Sequence, residues 1–357
     1  MTVIFDIQHL YYLPQYLPVL AELKKNGVSC RFVFYRQTEH QLQQVCQQII
    51  NDEQLDTIWV NDWHEALTHY LDVRADWLIF GNAVSDLDQL HQVSKTVLMQ
   101  HGIGPKQCYY DVSANPTTVR FVEGQHRLAR LQRLYPQSTF VDTGFAKLDP
   151  AFDGSQTLLN LASLNLDPNK PTLLYAPTFY PSSIECFSKH FADEFCDYNI
   201  IVKPHFFSLT KDKYHQQRRL LEHWSKNSNV YLAPVSDYNL LSFMAISDVM
   251  ISDASSAIFE FAALNKPVVW CDFYKLRWSY RGIFSFRFKK RLNDDIEFFH
   301  QITERVSQYP DLKQAVSKVL AAPSELADKR IEMTERLAGA TDGQVSKRIV
   351  KYLLETR

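Results

Sequence analysis

The chain lacks any long apolar run: no stretch approaches the roughly eighteen residues a membrane-spanning helix needs, and the most apolar candidate, VVWCDFYKL, is already broken by Asp272 and Lys275. Its first residues, MTVIFDIQHLYYL, have neither a basic start nor an uninterrupted apolar stretch, so they read as a strand of the fold rather than a signal peptide. Charge of one sign is also missing. Lys and Arg total 38 against 40 Asp and Glu, a formal net charge of −2, which argues against nucleic acid as a partner. The six cysteines (Cys30, Cys46, Cys108, Cys186, Cys196, Cys271) form no CxxC pair and show no metal-ligand spacing. Scattered thiols of this kind suit a reducing compartment, so a cytoplasmic setting is expected. Internal repeats and low-complexity tracts are missing as well.

What is present is material for two cores. The chain has 357 residues, 46% hydrophobic and 22% charged, which suits two domains rather than one. VIFDI reads as a strand, PQYLPVLAELKKNG as an amphipathic helix stopped at Gly27, and VSCRFVFY as a second strand. DTIWV, DWLIFG, TVLMQ, TVRFVEG and STFVDTG continue the strands, with helices at DWHEALTHYLDV and QHRLARLQRLYP. After a turn-rich connection, PTLLYAPT opens a second run that includes YNIIVKPH, NVYLAPV, DVMISD and KPVVWCD. The expected fold is α/β, two Rossmann-like domains whose parallel sheets face a central cleft. The expected boundaries are an N-terminal domain over 1–152, a linker over 153–170, a C-terminal domain over 171–335 and a C-terminal helix over 336–357, a position from which helices often cross a domain seam.

Open parallel sheets bind ligands outside the carboxyl ends of their strands, so the residues just after strands are the informative ones. TVLMQ leads into His101, Gly102, Gly104 and Lys106. There an imidazole suited to base work near neutral pH stands between residues with freely bending backbone, and Lys106 can neutralise a phosphate. A strand-end turn with an incidental histidine is the plainer alternative. Lys203 and His205 follow IIV, with Pro204 stiffening the turn. DVMI leads into Ser252, Asp253, Ser255 and Ser256, where two hydroxyls at a helix start make a pyrophosphate site; an ordinary serine cap accounts for only one of them. Tyr175 and Thr178 of YAPT, and Gly144, Lys147 and Asp149 of TGFAKLD, occupy similar strand ends. His64 and His69 read as residues of a helix surface, and the helix around Arg218 and Arg219 as a solvated face with a minor option of touching anionic lipid or polymer.

In this order the segments resemble the CDP-glycerol glycerophosphotransferase family, which includes teichoic acid primases and polymerases. The resemblance runs from Thr96 to Ile283 and rests on the HG loop with Lys106, the TG-x-x-K-x-D segment, YAPT, Lys203 with His205, SDxSS, and the Arg281–Gly282 pair. Ala254, and Ala146 with Lys147, stand where the family pattern has other residues. The resemblance implies a GT-B fold with an N-terminal acceptor domain and a C-terminal nucleotide-donor domain. It implies a transferase that moves a polyol phosphate, glycerol phosphate first, from a CDP-activated donor to a hydroxyl of a glycan or polyol-phosphate acceptor, releasing CMP. It implies His101 and His205 as catalytic residues. Lys203, Ser252, Asp253, Ser255, Ser256, Tyr175 and Thr178 would face the donor, and Gly102, Gly104, Lys106, Gly144, Lys147, Asp149 and Arg281 would line the rest of the cleft. A place in surface-polymer or capsule synthesis, with peripheral contact at the inner membrane face, follows from the same resemblance. Since the protein supplies positive potential itself, neither a cofactor nor an obligatory metal is expected. A glycosyltransferase or epimerase using a nucleotide sugar, and a non-catalytic nucleotide-binding relative, remain open alternatives on this architecture.

Overall fold

The computed structural model describes residues 1–276 and 294–356; Arg281 and Gly282 lie outside the described residues. The chain divides into two compact units. One comprises Met1–Ile103, Cys108–Ser155 and Glu335–Arg357, the other Gly104–Gln107 and Gln156–Thr334. The short excursion at 104–107 is not visible as a boundary in composition.

The first unit holds a seven-stranded sheet: β1 (Thr2–Ile7), β2 (Ser29–Tyr35), β3 (Thr57–Val60), β4 (Trp77–Phe80), β5 (Lys95–Met99), β6 (Val119–Val122) and β7 (Phe140–Asp142), in the order β3-β2-β1-β4-β5-β6-β7. The second holds six: β8 (Thr172–Tyr175), β9 (Asn199–Val202), β10 (Val230–Leu232), β11 (Val249–Ser252), β12 (Val268–Cys271) and β13 (Thr303–Val306), in the order β10-β9-β8-β11-β12-β13. Every pairing is parallel, as the alternation of short apolar strands and helices predicts. β4, β6, β8, β9, β11 and β12 are buried at all four positions, which is why they read as largely apolar runs rather than alternating ones; inside β6, the buried Arg120 donates to Ser113 Oγ at 2.6 Å.

Helices cover the sheets through apolar faces at helical spacing. In Trp63–Val73, Ala66, Leu67 and Tyr70 face inward, and Asp62 caps the start by accepting the Glu65 N–H at 3.0 Å. The basic segment forms a helix only over His215–Trp224, with Gln217, Leu221 and Trp224 as its buried stripe. The elements not expected from the sequence include one long helix and one edge strand. The helix His40–Asp52 buries Leu42, Val45, Cys46, Ile49 and Ile50, a three-and-four spacing diluted by glutamines. β13, TERV, is half polar because its edge position leaves two of its four residues unburied.

The C-terminal helix Val345–Glu355 belongs to the first unit, where Trp77 Nε1 donates to Leu353 O at 3.1 Å. Asp149, buried, accepts the N–H groups of Val345 (3.0 Å) and Ser346 (2.7 Å). A side chain at Gly144 would meet Val345 Cγ2 at 2.9 Å. In the structure, then, Gly144 and Asp149, both expected in the cleft, seat the first turn of this helix. Lys147 lies half-buried in the turn between them.

Candidate active site

In each sheet the strand order reverses once, between β1 and β4 in the first and between β8 and β11 in the second. At such a switch point the connections leave in opposite directions and open a crevice at the strands' carboxyl ends. The two expected histidines both stand beside one. His101 follows β5, the neighbour of β4, and His205 follows β9, the neighbour of β8.

In the first unit His101 is half-buried among the aromatic rings that follow β1. Tyr11 lies 4.6 Å and Tyr12 5.2 Å from it between ring centroids, and Tyr109 meets it edge-on at 5.6 Å. His9 stacks on Tyr11 at 5.0 Å. Burial holds the phenols of Tyr11 and Tyr12 well above their ordinary range, so both are neutral hydroxyls. The decisive contact is from His101 Nδ1 to Gly81 O, at 3.0 Å. A carbonyl oxygen only accepts, so Nδ1 carries a proton and, in the neutral ring, Nε2 has the lone pair. Gly81 is required there, since a Cβ on it would lie 2.6 Å from two carbons of the Tyr12 ring. Beneath Tyr12, Asp6 is buried and accepts from Tyr70 Oη (2.7 Å) and Tyr35 Oη (2.9 Å), while burial pushes its carboxyl up to about 6.

In the second unit His205 has the opposite tautomer. The Phe207 N–H donates to its Nδ1 at 3.2 Å, so that nitrogen is the acceptor and, in the neutral ring, Nε2 carries the proton. Phe179, Phe206 and Phe207 surround the ring at 4.6, 4.9 and 4.8 Å. Lys203 precedes it, half-buried, with its N–H on Tyr175 O at 2.9 Å.

The YAPT and SDASS segments are one device. Ser252 Oγ donates to Ala176 O at 2.7 Å. Asp253 accepts from the Thr178 N–H (2.8 Å), the Ser183 N–H (3.0 Å) and Ser183 Oγ (3.0 Å). Tyr175 stacks on Phe187 at 4.5 Å and shares a hydrogen bond with Ser183 Oγ at 2.9 Å. Tyr175, Ser252 and Asp253, all expected at the donor, are buried groups that brace the loop after β8. Full burial pushes the Asp253 carboxyl up to about 7, against the pull of its three hydrogen bonds and of Lys106.

Ser255 and Ser256 do stand partly open at the start of the helix Ala257–Ala263, with Ser255 Oγ accepting the Ala257 N–H at 3.3 Å. Gly104 packs against that helix start. A Cβ at Gly104 would come within 3.1 Å of Ser256 Cβ and 3.3 Å of its Cα. The HGIGPK loop is therefore divided between the units: His101 and Gly102 remain with the first, while Gly104 and Lys106 join the serines. Thr178 is buried beside Asp253 through its backbone.

Sequence reading passed over His9, Tyr11, Tyr12, Gly81 and Gln100 around His101, and Phe179, Ser183 and Phe207 in the second unit. HLYY directly follows β1, at the switch point, and the strand-end rule applied there would have found it.

A family model described as CDP-glycerol:poly(glycerophosphate) glycerophosphotransferase matches residues 80–355. The chain is 29% identical over 155 residues to the teichoic acid glycerol-phosphate primase of Bacillus spizizenii, covering 42% of this chain and 39% of that one. It is 23% identical over 267 residues to the teichoic acid glycerol-phosphate transferase of Staphylococcus aureus, covering 69% of this chain and 60% of that one. The matches thus span less than two thirds of these relatives' own length. Among solved structures, the wall teichoic acid polymerase TagF superposes with a TM-score of 0.66 at 15% identity, over 99% of this chain and 88% of that one. The UDP-GlcNAc 2-epimerase of Neisseria meningitidis superposes with a TM-score of 0.62 at 13% identity, over 99% and 100%; at such identities the likeness establishes the shared GT-B fold. By the extent of the family match, the chain belongs to the CDP-glycerol:poly(glycerophosphate) glycerophosphotransferase family.

Proposed function

We propose that the protein transfers a polyol phosphate, glycerol phosphate in the first instance, from a CDP-activated donor to a hydroxyl of a surface glycan or polyol-phosphate polymer, with release of CMP. Family membership supports the reaction class. The observation that carries the chemistry is the pair of strand-end histidines held in opposite tautomers.

The acceptor hydroxyl attacks the β-phosphorus of the donor, and the bond from that phosphorus to the CMP oxygen breaks. The hydroxyl must lose its proton as it attacks, while negative charge grows on phosphate oxygens and on the departing CMP. His101 is suited to the first task, because Nδ1–H is fixed on Gly81 O and the Nε2 lone pair is left to take a proton. His205 is suited to the second, because its Nε2–H is a donor for a phosphate oxygen. Lys203 and Lys106 add positive charge, and Ser255 and Ser256 add hydroxyls to the donor phosphates. Thr178 and Gly102 are assigned backbone roles beside them. The acceptor is assigned to the first unit and the nucleotide to the second, with peripheral attachment to the inner membrane face kept as part of the reading; among the described residues no helix is long and apolar enough to cross a membrane.

The test is a panel of CDP-polyols and nucleotide sugars incubated with acceptors, with products read by mass spectrometry. CMP release with a polyol-phosphate mass added to the acceptor is expected. Turnover or epimerisation of a nucleotide sugar, with CDP-polyols ignored, overturns the proposal.

A further inference from the structure

We propose that Gln100 is the positioning residue of His101: its side-chain carbonyl, together with the backbone carbonyl of Gly81, holds the Nδ1–H and stabilises the ring once it gains a proton. The proposal rests on the reading of His101 as the base. Gln100 directly follows β5 and is 2% exposed. Its amide lies 3.2 Å from His101 Nδ1, and its Oε1 has no hydrogen-bond partner among the described residues.

The two contacts at Nδ1 conflict if the amide nitrogen faces the ring. Gly81 O, at 3.0 Å, can only accept, so Nδ1 must carry a hydrogen. An amide N–H pointed at the same nitrogen then sets donor against donor. The backbone carbonyl cannot change its character, but a glutamine amide exchanges oxygen for nitrogen by a half-turn of its last bond. That turn brings Oε1 to the Nδ1–H, and two carbonyl oxygens then share one proton. When Nε2 takes a proton the ring becomes a cation, and both oxygens stabilise it. The arrangement is a neutral counterpart of the carboxylate that orients a catalytic imidazole in hydrolases.

The other titratable groups facing the ring are Tyr11, Tyr12 and Tyr109, with His9 behind Tyr11 and Asp6 acting on Tyr12. Gln100 differs from these in lying against Nδ1 itself, so its amide acts directly on the basicity of His101.

The experiment is nitrogen-15 NMR of the histidine rings in the full chain, titrated with pH, for wild type, Gln100→Met and Gln100→Glu. Wild-type His101 is expected as the Nδ1–H tautomer. Gln100→Met should lower the pKa of His101, with Nδ1–H still held by Gly81 O. Gln100→Glu should raise it by about one to two units, the effect of an adjacent opposite charge. The acid limb of kcat/KM should move in the same directions. A His101 in Gln100→Met that titrates as in wild type overturns the proposal, as does a wild-type ring whose neutral form is protonated at Nε2. NMR shifts as expected with an unmoved pH profile would instead uphold the positioning and remove His101 from the role of base.

Discussion

In the first unit the histidine beside the switch point gives its Nδ1 proton to a backbone carbonyl; in the second, its counterpart receives a backbone N–H at the same atom. Each unit also buries an aspartate close by, Asp6 under phenols and Asp253 under backbone and serine donors. Each has a glycine where a neighbour presses on the backbone, Gly81 under the Tyr12 ring and Gly104 against Ser256. One construction thus recurs in both units, and the direction of a single hydrogen bond at the histidine separates them. A residue type at a strand end does not by itself say whether it will take a proton or give one.

The largest expected effect breaks that comparison directly. His101→Ala should reduce the single-turnover rate by about a hundredfold or more, the size of a general-base contribution, with donor affinity little changed. His205→Ala should lower donor affinity as well as rate. Equal losses of donor affinity in both variants would show that His101 is another phosphate ligand, and a partial rescue by His101→Lys would say the same.

Next in size is the contrast between serines that are spent and serines that are open. Replacing Ser255 and Ser256 together by Ala should weaken nucleotide binding by roughly tenfold or more, the worth of a hydrogen bond to a charged group, with the melting temperature held. Ser252→Ala should do the reverse, because its hydroxyl holds Ala176 O. It should cost about 1 kcal/mol of stability and leave affinity near wild type. Calorimetry and urea unfolding on the same preparations decide this.

Gly81→Ala and Gly104→Ala test the two close approaches. At Gly81 the new methyl falls on the Tyr12 ring at 2.6 Å, and at Gly104 on Ser256 at 3.1 Å. Overpacking of this kind costs about 1 to 3 kcal/mol, so Gly81→Ala should be the more destabilised and should lose turnover through displacement of His101. Gly104→Ala should chiefly weaken donor binding. Thermal melts beside single-turnover rates check the order.

The gentlest test is pH. Asp6 and Asp253 are raised from 3.8 to about 6 and about 7 by burial. The folded chain therefore holds protons that the unfolded chain has released between pH 3.8 and those values. With more protons bound to the native state, stability falls as pH rises across that window. Urea unfolding from pH 4 to 8 should show this slope. Asp6→Asn should flatten its part up to about pH 6 and Asp253→Asn its part up to about pH 7.

The sequence by itself determined the two runs of parallel strands, since strands buried on both faces must be continuously apolar and the alternation with helices leaves only parallel pairing. It also determined that His101, His205, Ser255 and Ser256 stand at strand ends or a helix start, because those positions follow from local pattern. What each polar side chain does once there was decided by tertiary structure. Asp149 and Gly144 read like cleft residues until the helix at Val345 is seen resting on them. Ser252 and Asp253 read like donor ligands until the loop after β8 takes up their hydrogen bonds. The tautomers of the two histidines depend on Gly81, twenty residues upstream, and on Phe207, two residues downstream. A buried polar group must find a partner wherever the fold places one, and sequence pattern records the need without the partner's address.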